Sequence, residues 1–393
     1  MWWRRILSDD RGTVLVLVAL SMTVLVGMAG LAIDSGRAYV VRAQLSRAVD
    51  AAALAGARTI RQGEDVARAH AIALARANGV GDGDGSTLSI EFGTDDEGAG
   101  TVTVHAERSV ETFFVRVFGT TEVTVSSEAV ATVPPLDIVL VLDNSGSLAT
   151  ANAWDDLQAA ADNFLDFFHE EIDQMGLVSF QIVGGERFWM NQPFHSAVED
   201  AIFDMNSAGD TNPGEGLRMA LDQLEGGTHR EGAIRVVVFF TDGRPTAFRG
   251  NLGGQDRIMA VYANVNTFRG YFNNPNGLDP DAVATANGCS GSTGSCLGYT
   301  PSSARTKAKN YGLEWADTIR DEDIFIFSIG LGNPAEPNPL MVPDMDYLRQ
   351  IANEEGITDP GQPNGRAYFS PSAAELDEVF QAVAKDIVVR LTK

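Results

Sequence analysis

Asp143-Asn144-Ser145-Gly146-Ser147 closes the apolar run at residues 136–142 and sets three oxygen-bearing side chains on one turn at the end of a strand. In an open parallel sheet, ligands sit in the crevice beyond the carboxyl ends of the strands. A carboxylate followed at two-residue steps by hydroxyls can face one point there. Hard cations such as Mg²⁺ and Ca²⁺ take such oxygen ligands. Taken alone, D-x-S-x-S is also what any solvated turn would use, so the reading depends on what else the chain supplies.

Two further segments supply it. The run I-R-V-V-V-F-F at residues 234–240 reads as a second buried strand, and it ends in Thr241-Asp242-Gly243, a second carboxylate at the same kind of position. Between the two strands, Gly209-Asp210-Thr211-Asn212-Pro213-Gly214 leads into a helical pattern at 216–224, which puts Thr211 in a loop entering a helix. From about residue 136 the pattern alternates: strand to 142, helix near 154–171, strand 175–182, helix after Thr211, strand to 241, helix 302–320, strand 324–329, helix near 345–354 and a last helix 373–391. That alternation predicts an α/β fold, a doubly wound, mostly parallel sheet with helices on both faces.

In this order the three segments resemble the metal-ion-dependent adhesion site of von Willebrand factor A domains. The family pattern of D-x-S-x-S, a loop Thr and a strand-end Asp is filled by Asp143, Ser145, Ser147, Thr211 and Asp242. The resemblance implies that Ser145, Ser147 and Thr211 bind a divalent cation directly or nearly so, with Asp143 and Asp242 acting largely through bound waters. It favours Mg²⁺, with Ca²⁺ and Mn²⁺ left open.

With 393 residues the chain is long for one domain and comfortable for two plus a tether. A hydrophobic share of 44% supports a sizeable core and excludes wholesale disorder. The 53 acidic residues against 29 basic ones give a net charge of −24, which argues against nucleic acid as a partner, because phosphate binding needs a basic surface.

At the N-terminus, residues 13–33 form a run of 21 without a charge, about the length that crosses a hydrocarbon core of roughly 30 Å as a helix. A cleaved secretory signal would have a shorter apolar region, so an anchor is expected. Arg4, Arg5 and Arg11 before the run and Arg37, Arg42 and Arg47 after it leave the orientation undecided by charge. The helical pattern then continues over residues 39–60 with no breaker before Gly56. The order Arg11-Gly12, apolar span, G-L-A-I-D-S-G-R at 30–37, Gln44-Leu45 and A-V-D-A-A-A-L-A-G-A at 48–57 resembles the N-terminus of Tad (tight adherence) pilus-assembly proteins. Those of TadG type add a von Willebrand factor A domain to it.

Between these parts a small α+β module is expected: a helix at 65–78, and strands at 88–92, 101–105 and 122–126. Asp82 and Asp84 lie in a Gly-rich turn without the bidentate Glu of an EF-hand and read as solvated. The expected organisation is therefore a cytoplasmic tail (1–12), a transmembrane helix (13–33), a TadE/TadG-like helical and α+β region (34–133), and an A domain (134–393) with a Gly- and Asn-rich insertion at about 247–300. The insertion leaves the sheet just after Asp242, so it is expected over or beside the metal. It carries the only two cysteines, Cys289 and Cys296, with six residues between them, which is too many for a C-x-x-C pair. A loop disulfide fits an oxidising compartment and would favour order by roughly 2 to 3 kcal/mol on the chain-entropy model.

H-E-x-x-H, G-x-S-x-G and phosphate-loop signatures are absent. The sequence therefore reads as a non-enzymatic, membrane-anchored pilus-assembly and adhesion component. Its expected partners are other pilus-assembly components and a protein that offers an acidic side chain to the metal. The expected location is the bacterial inner membrane, single-pass, with the large domain periplasmic or reaching the surface. Two rivals stand beside this reading: a minor pilin-like subunit processed after Gly12, against which Leu17 occupies the place of the usual Glu, and a metal-dependent hydrolase, for which no general base is evident.

Overall fold

A computed structural model describes residues 10–81, 83–226, 229–332 and 344–391; most of the expected tail (1–9) and Asp82 of the Gly-rich turn lie outside the described residues. The chain divides into two compact units. One contains residues up to 93 and 100–133, and the other contains 94–99 and 134–393.

In the first unit a helix of 48 residues, α1 (Asp10–Ala57), runs unbroken through the apolar run. It is long and apolar enough to cross a membrane. From Val14 to Ile33 it is exposed apart from Gly30, and its second half is amphipathic, burying Leu45, Ala48, Val49 and Ala52. Helix α2 (Glu64–Ala77) buries Ala67, Ala71 and Ala75 at four-residue steps. Small side chains at this spacing bring α2 close to α1, as at Gly56, which faces Ala67 and Ala71, and α1 in turn packs on a three-stranded sheet of β1 (Ser86–Thr94), β2 (Gly100–Glu111) and β3 (Glu122–Val133), with β2 and β3 antiparallel. At Gly56 a Cβ would stand 2.9 Å from Val102, so the close approach needs a glycine. The strands are longer than the alternation alone predicts, because β2 and β3 pair without interruption from Gly100↔Val133 to Glu111↔Glu122.

The second unit is built on a six-stranded sheet of order β12-β11-β7-β4-β5-β6. Its strands are β4 (Leu136–Asp143), β5 (Gln174–Phe180), β6 (Gly184–Asn191), β7 (Ile234–Thr241), β11 (Phe325–Leu331) and β12 (Arg366–Ser370). All neighbours are parallel except β5 and β6. Both faces are covered, so the central strands are apolar over most of their length, as at residues 138–142 and 236–240. Ile138, Leu140 and Leu142 face helices α4 (Trp154–Leu165), α5 (His195–Asp204) and α9 (Leu376–Leu391). Val139 and Val141 face α6 (Pro213–Leu224), α7 (Pro301–Asp321) and α8 (Met345–Ala352). Chain order puts β5 on one side of β4 and β7 on the other, so the sheet reverses direction between β4 and β7.

The insertion is ordered by its own meander, β8 (Ala247–Leu252), β9 (Gln255–Val261) and β10 (Phe268–Asn273). Gly253 and Gly254, with φ of 61° and 81°, make the two-residue turn between the first two strands. One cluster joins Phe248, Met259 and Phe268 to Ala304 and Ala308 of α7. Another packs Ala247, Ile258 and Phe272 on Ile182 and Val183.

Phe380 of α9 joins the two layers of the first face: its ring lies 5.8 Å from that of Phe164 and 6.0 Å from that of Phe240, and all three are fully buried. Phe380→Ala should therefore cost about 3–5 kcal/mol, visible as a lowered denaturation midpoint. A change below about 0.5 kcal/mol would mean that α9 adds nothing to the sheet's stability.

Candidate metal centre

Each of the two carboxylates ends a strand that is buried on both faces, and the parallel register puts the ends side by side. Leu142 of β4 pairs with Phe240 of β7, so Asp143 stands beside Thr241, and Asp242 follows it. This is the point where the sheet reverses, where the loops leaving adjacent strands diverge and open a crevice.

Asp143 is fully buried. Its Oδ1 accepts from the Ser145 amide at 2.8 Å, and its Oδ2 accepts from the Thr241 hydroxyl at 2.5 Å. The hydroxyls continue outward. Ser145 Oγ lies 3.0 Å from Ser147 Oγ, and Ser147 donates to Asp242 Oδ1 at 2.8 Å. Short helix α3 (Gly146–Thr150) begins within this turn. Asp143 thus forms the floor of the site, and exposed Ser147 stands at its mouth.

Thr211 belongs to a separate loop, buried and tied back by its amide to Thr246 Oγ1 at 2.9 Å. A Cβ on Gly243, next to Asp242, would lie 3.4 Å from Thr211 Oγ1, so the threonine hydroxyl borders the same space. The two loops are laced together by Ala208 N–H to Asn144 O at 2.7 Å, Gly146 N–H to Gly209 O at 3.3 Å and Ser207 Oγ to Ser145 O at 2.6 Å. Gly209 has φ +77°, and a Cβ there would fall on Gln181 Oε1, so only glycine fits.

Burial pushes the Asp143 carboxyl up to about 6. Burial first, and then the neighbouring Asp143 charge, push Asp242 up to about 8. Two neighbouring buried carboxyls resist ionising together, and a cation between them would favour the charged form of both. Among the described residues no group of three or more His, Cys, Asp and Glu side chains converges. The donor set is therefore two carboxylates completed by hydroxyls, which suits a hard divalent ion and fits poorly with thiolate- or imidazole-seeking metals.

The insertion flanks this centre. Asn144 donates to Pro280 O at 3.0 Å, Gln181 donates to Asp279 O and Ala282 O, and Arg187 pairs with Asp281. Arg269 of β10 contacts Asp210, the neighbour of Thr211, at 3.2 Å. Cys289 and Cys296 are bonded, and their disulfide packs into the cluster under β8–β10. Sequence reasoning passed over Thr241, Asn144 and Asp210. Thr241 was legible in principle, because pairing two strands that end in carboxylates brings the residue before one beside the other. The contacts of Asn144 and Asp210 depend on the insertion's path, and no local pattern carries that.

Residues 137–263 match the von Willebrand factor type A domain, and residues 12–59 match the family described as putative Flp pilus-assembly TadE/G-like. The fold is a von Willebrand factor A-like α/β fold behind an N-terminal apolar helix. Among curated proteins none matches the chain in sequence. Among solved structures, proximal thread matrix protein 1 from the mussel byssus is similar at 17% identity over 65% of this chain and 46% of its own, with a TM-score of 0.38. The pilus adhesin SpaC from Lactobacillus rhamnosus GG shares 16% over 79% of this chain and 35% of its own, TM-score 0.42. The von Willebrand factor domain of a type V pili tip protein from Porphyromonas gingivalis shares 14% over 67% and 98%, TM-score 0.46. The chain thus spans less than half the length of the first two.

The raised carboxyls give a pH signature. Between the unfolded value near 3.8 and the folded values of about 6 and 8, the folded protein keeps protons that the unfolded chain has released. Stability contributed by the pair is therefore lost as pH climbs from about 4 to 8 in metal-free protein. Thermal melts in chelator should fall over this window, and Mg²⁺ should offset the fall most at high pH, where protons no longer compete. An Asp143→Asn, Asp242→Asn variant with the same pH slope would assign the effect to other groups.

Proposed function

We propose that this chain is a membrane-anchored pilus-assembly and adhesion component, which binds a protein partner through a divalent cation held by Asp143, Ser145, Ser147, Thr211 and Asp242. The observation that supports it is the cluster of two uncompensated carboxylates and three hydroxyls at the reversal point of the sheet. In this reading the hydroxyls of Ser145, Ser147 and Thr211 hold the ion, Mg²⁺ in the first instance. Asp143 and Asp242 act through water. Both Asp143 oxygens already accept hydrogen bonds, which suits a carboxylate that neutralises charge at one remove. Hydroxyl ligands leave the ion short of negative charge, and an acidic side chain of the partner supplies it. A cation held there would supply Lewis acidity toward that carboxylate, and the function in this reading is binding.

The domain assignment follows the same reading: a cytoplasmic tail at 1–12, a span at 13–33, a TadE/TadG-like region at 34–133, and an A domain at 134–393, with the insertion at 247–300 beside the ion to select the partner. The span anchors the protein in a bacterial inner membrane, and the disulfide suits an oxidising space outside the cytoplasm. The unbroken helix Asp10–Ala57 also favours a second reading, a minor pilin-like subunit cut after Gly12. A mature chain beginning at Thr13 would support that one.

Asp143→Ala and Thr211→Ala should each abolish the cation's effect and partner capture while leaving the sheet folded. With cation at a hundred times its Kd, native protein should gain about 2.7 kcal/mol, roughly 5–10 °C in Tm, and the variants nothing. An equal gain in both places the metal elsewhere. Protease added to spheroplasts should cut residues beyond about 35, and protection of the large domain would reverse the topology.

A further inference from the structure

The hairpin between β2 and β3 carries Phe113-Phe114-Val115-Arg116-Val117-Phe118, a run of exposed apolar side chains. Val117 is 81% exposed, Phe118 82%, Phe113 55% and Phe114 42%. None of the residues in its single 3₁₀ turn, Val115–Phe118, is buried. A water-facing hairpin tip normally carries turn residues, and a contiguous apolar patch marks a surface that meets something.

Its position says what. The loop is clamped to α1 at the end of the apolar run. The Asp34 carboxylate accepts from the amides of Phe113, Phe114 and Val115 at 2.9–3.0 Å. Arg37 donates to Glu111 O at 3.0 Å, and its guanidinium lies 4.2 Å from the Phe113 ring centroid. Phe114 packs on Gly30, where a Cβ would stand 2.5 Å from Phe114 Cβ. Gly30, Asp34 and Arg37 share one face of the helix at steps of four and three. Gly30 lies inside the charge-free run, roughly 4.5 Å along the axis from its last residue, Ile33, and Arg37 lies about one turn beyond it. The clamp therefore straddles the level at which hydrocarbon gives way to headgroups.

We propose that Phe113, Phe114, Val117 and Phe118 insert into the outer edge of the bilayer beside the span, making the hairpin a second membrane contact that fixes the tilt and rotation of the first unit. Apolar side chains reach the acyl boundary, while Arg116 and Arg37 stand where lipid phosphates lie. The occupant is lipid rather than a second copy of the chain, because the patch continues the exposed apolar surface of the span. Asp34 serves as the fastener, spending its carboxylate on three backbone amides and so keeping the loop at this depth.

The proposal rests on residues 13–33 spanning the bilayer, and the experiment separates the two. The full chain is reconstituted in vesicles of phosphatidylethanolamine and phosphatidylglycerol with a nitroxide on one introduced cysteine, the native pair being bonded. Positions are Phe118→Cys, Val117→Cys, Val24→Cys within the span and Glu128→Cys on exposed β3. Collision with oxygen relative to a water-soluble nickel chelate should be several-fold higher at 117 and 118 than at 128, and highest at 24. An apolar position 24 with aqueous 117 and 118 overturns the loop's insertion while keeping the span. An aqueous position 24 overturns both. Shielding of 117 and 118 from both quenchers would mean protein covers the patch, and it overturns the lipid assignment. Replacing exposed side chains removes little packing, and two label sites guard against one perturbed variant.

Discussion

Two carboxylates at the ends of adjacent buried strands are expensive unless something positive stands between them, and the second unit is organised around that cost. Asp143 is taken out of water because β4 lies at the centre of a sheet covered on both faces. Asp242 is brought next to it because β7 pairs in parallel, in register, on the side where the sheet reverses. Removal from water raises both carboxyls, and their mutual repulsion raises Asp242 further. The hydroxyls of Ser145, Ser147 and Thr241 ease the burden by hydrogen bonding, but hydrogen bonds do not neutralise charge. A divalent cation does. The loop lacing at Asn144, Ser207 and Gly209 holds the oxygens converged, so little ordering would oppose a cation that bound there.

In the proposed reading, the insertion would make a general ion site a particular one. Its strands share cores with α7 and with Ile182 and Val183, so it is a fixed wall and moves with the sheet. The backbone carbonyls of its segment 279–282 accept from the Asn144 and Gln181 side chains, and Arg269 reaches the neighbour of Thr211. If the crevice holds an ion as proposed, a ligand approaching it would meet this wall, which would give the insertion a physical means of discriminating among acidic partners.

Much of this was legible in the residues. Strands β4 and β7 announce themselves as unbroken apolar runs ending in carboxylates, because burial on both faces removes the polar alternation. The edge strands did not announce themselves. β6 mixes Glu186 and Arg187 with Phe188 and Trp189, so it shows no clean alternation, and β12, only Arg366–Ser370, is too short for a period to show. The meander at Ala247–Asn273 was hidden by its glycines and asparagines, although Gly253-Gly254 between two strands is a hairpin signal in its own right. In the first unit the apolar run and the alanine spacing were clear. That Asp34 fastens a distant hairpin was not, since the bond joins residues about 80 apart and depends on how β2 and β3 return to the helix.

The central claim is that the oxygens of Asp143, Ser145, Ser147, Thr211 and Asp242 form one cation site, and a crystal grown in Mn²⁺ tests it most directly through the metal's anomalous scattering. The account predicts a single strong peak within about 2.6 Å of both Ser145 Oγ and Ser147 Oγ, with waters linking it to Asp143. A peak at another cluster of oxygens, with the crevice beyond β4 and β7 holding none, would contradict it.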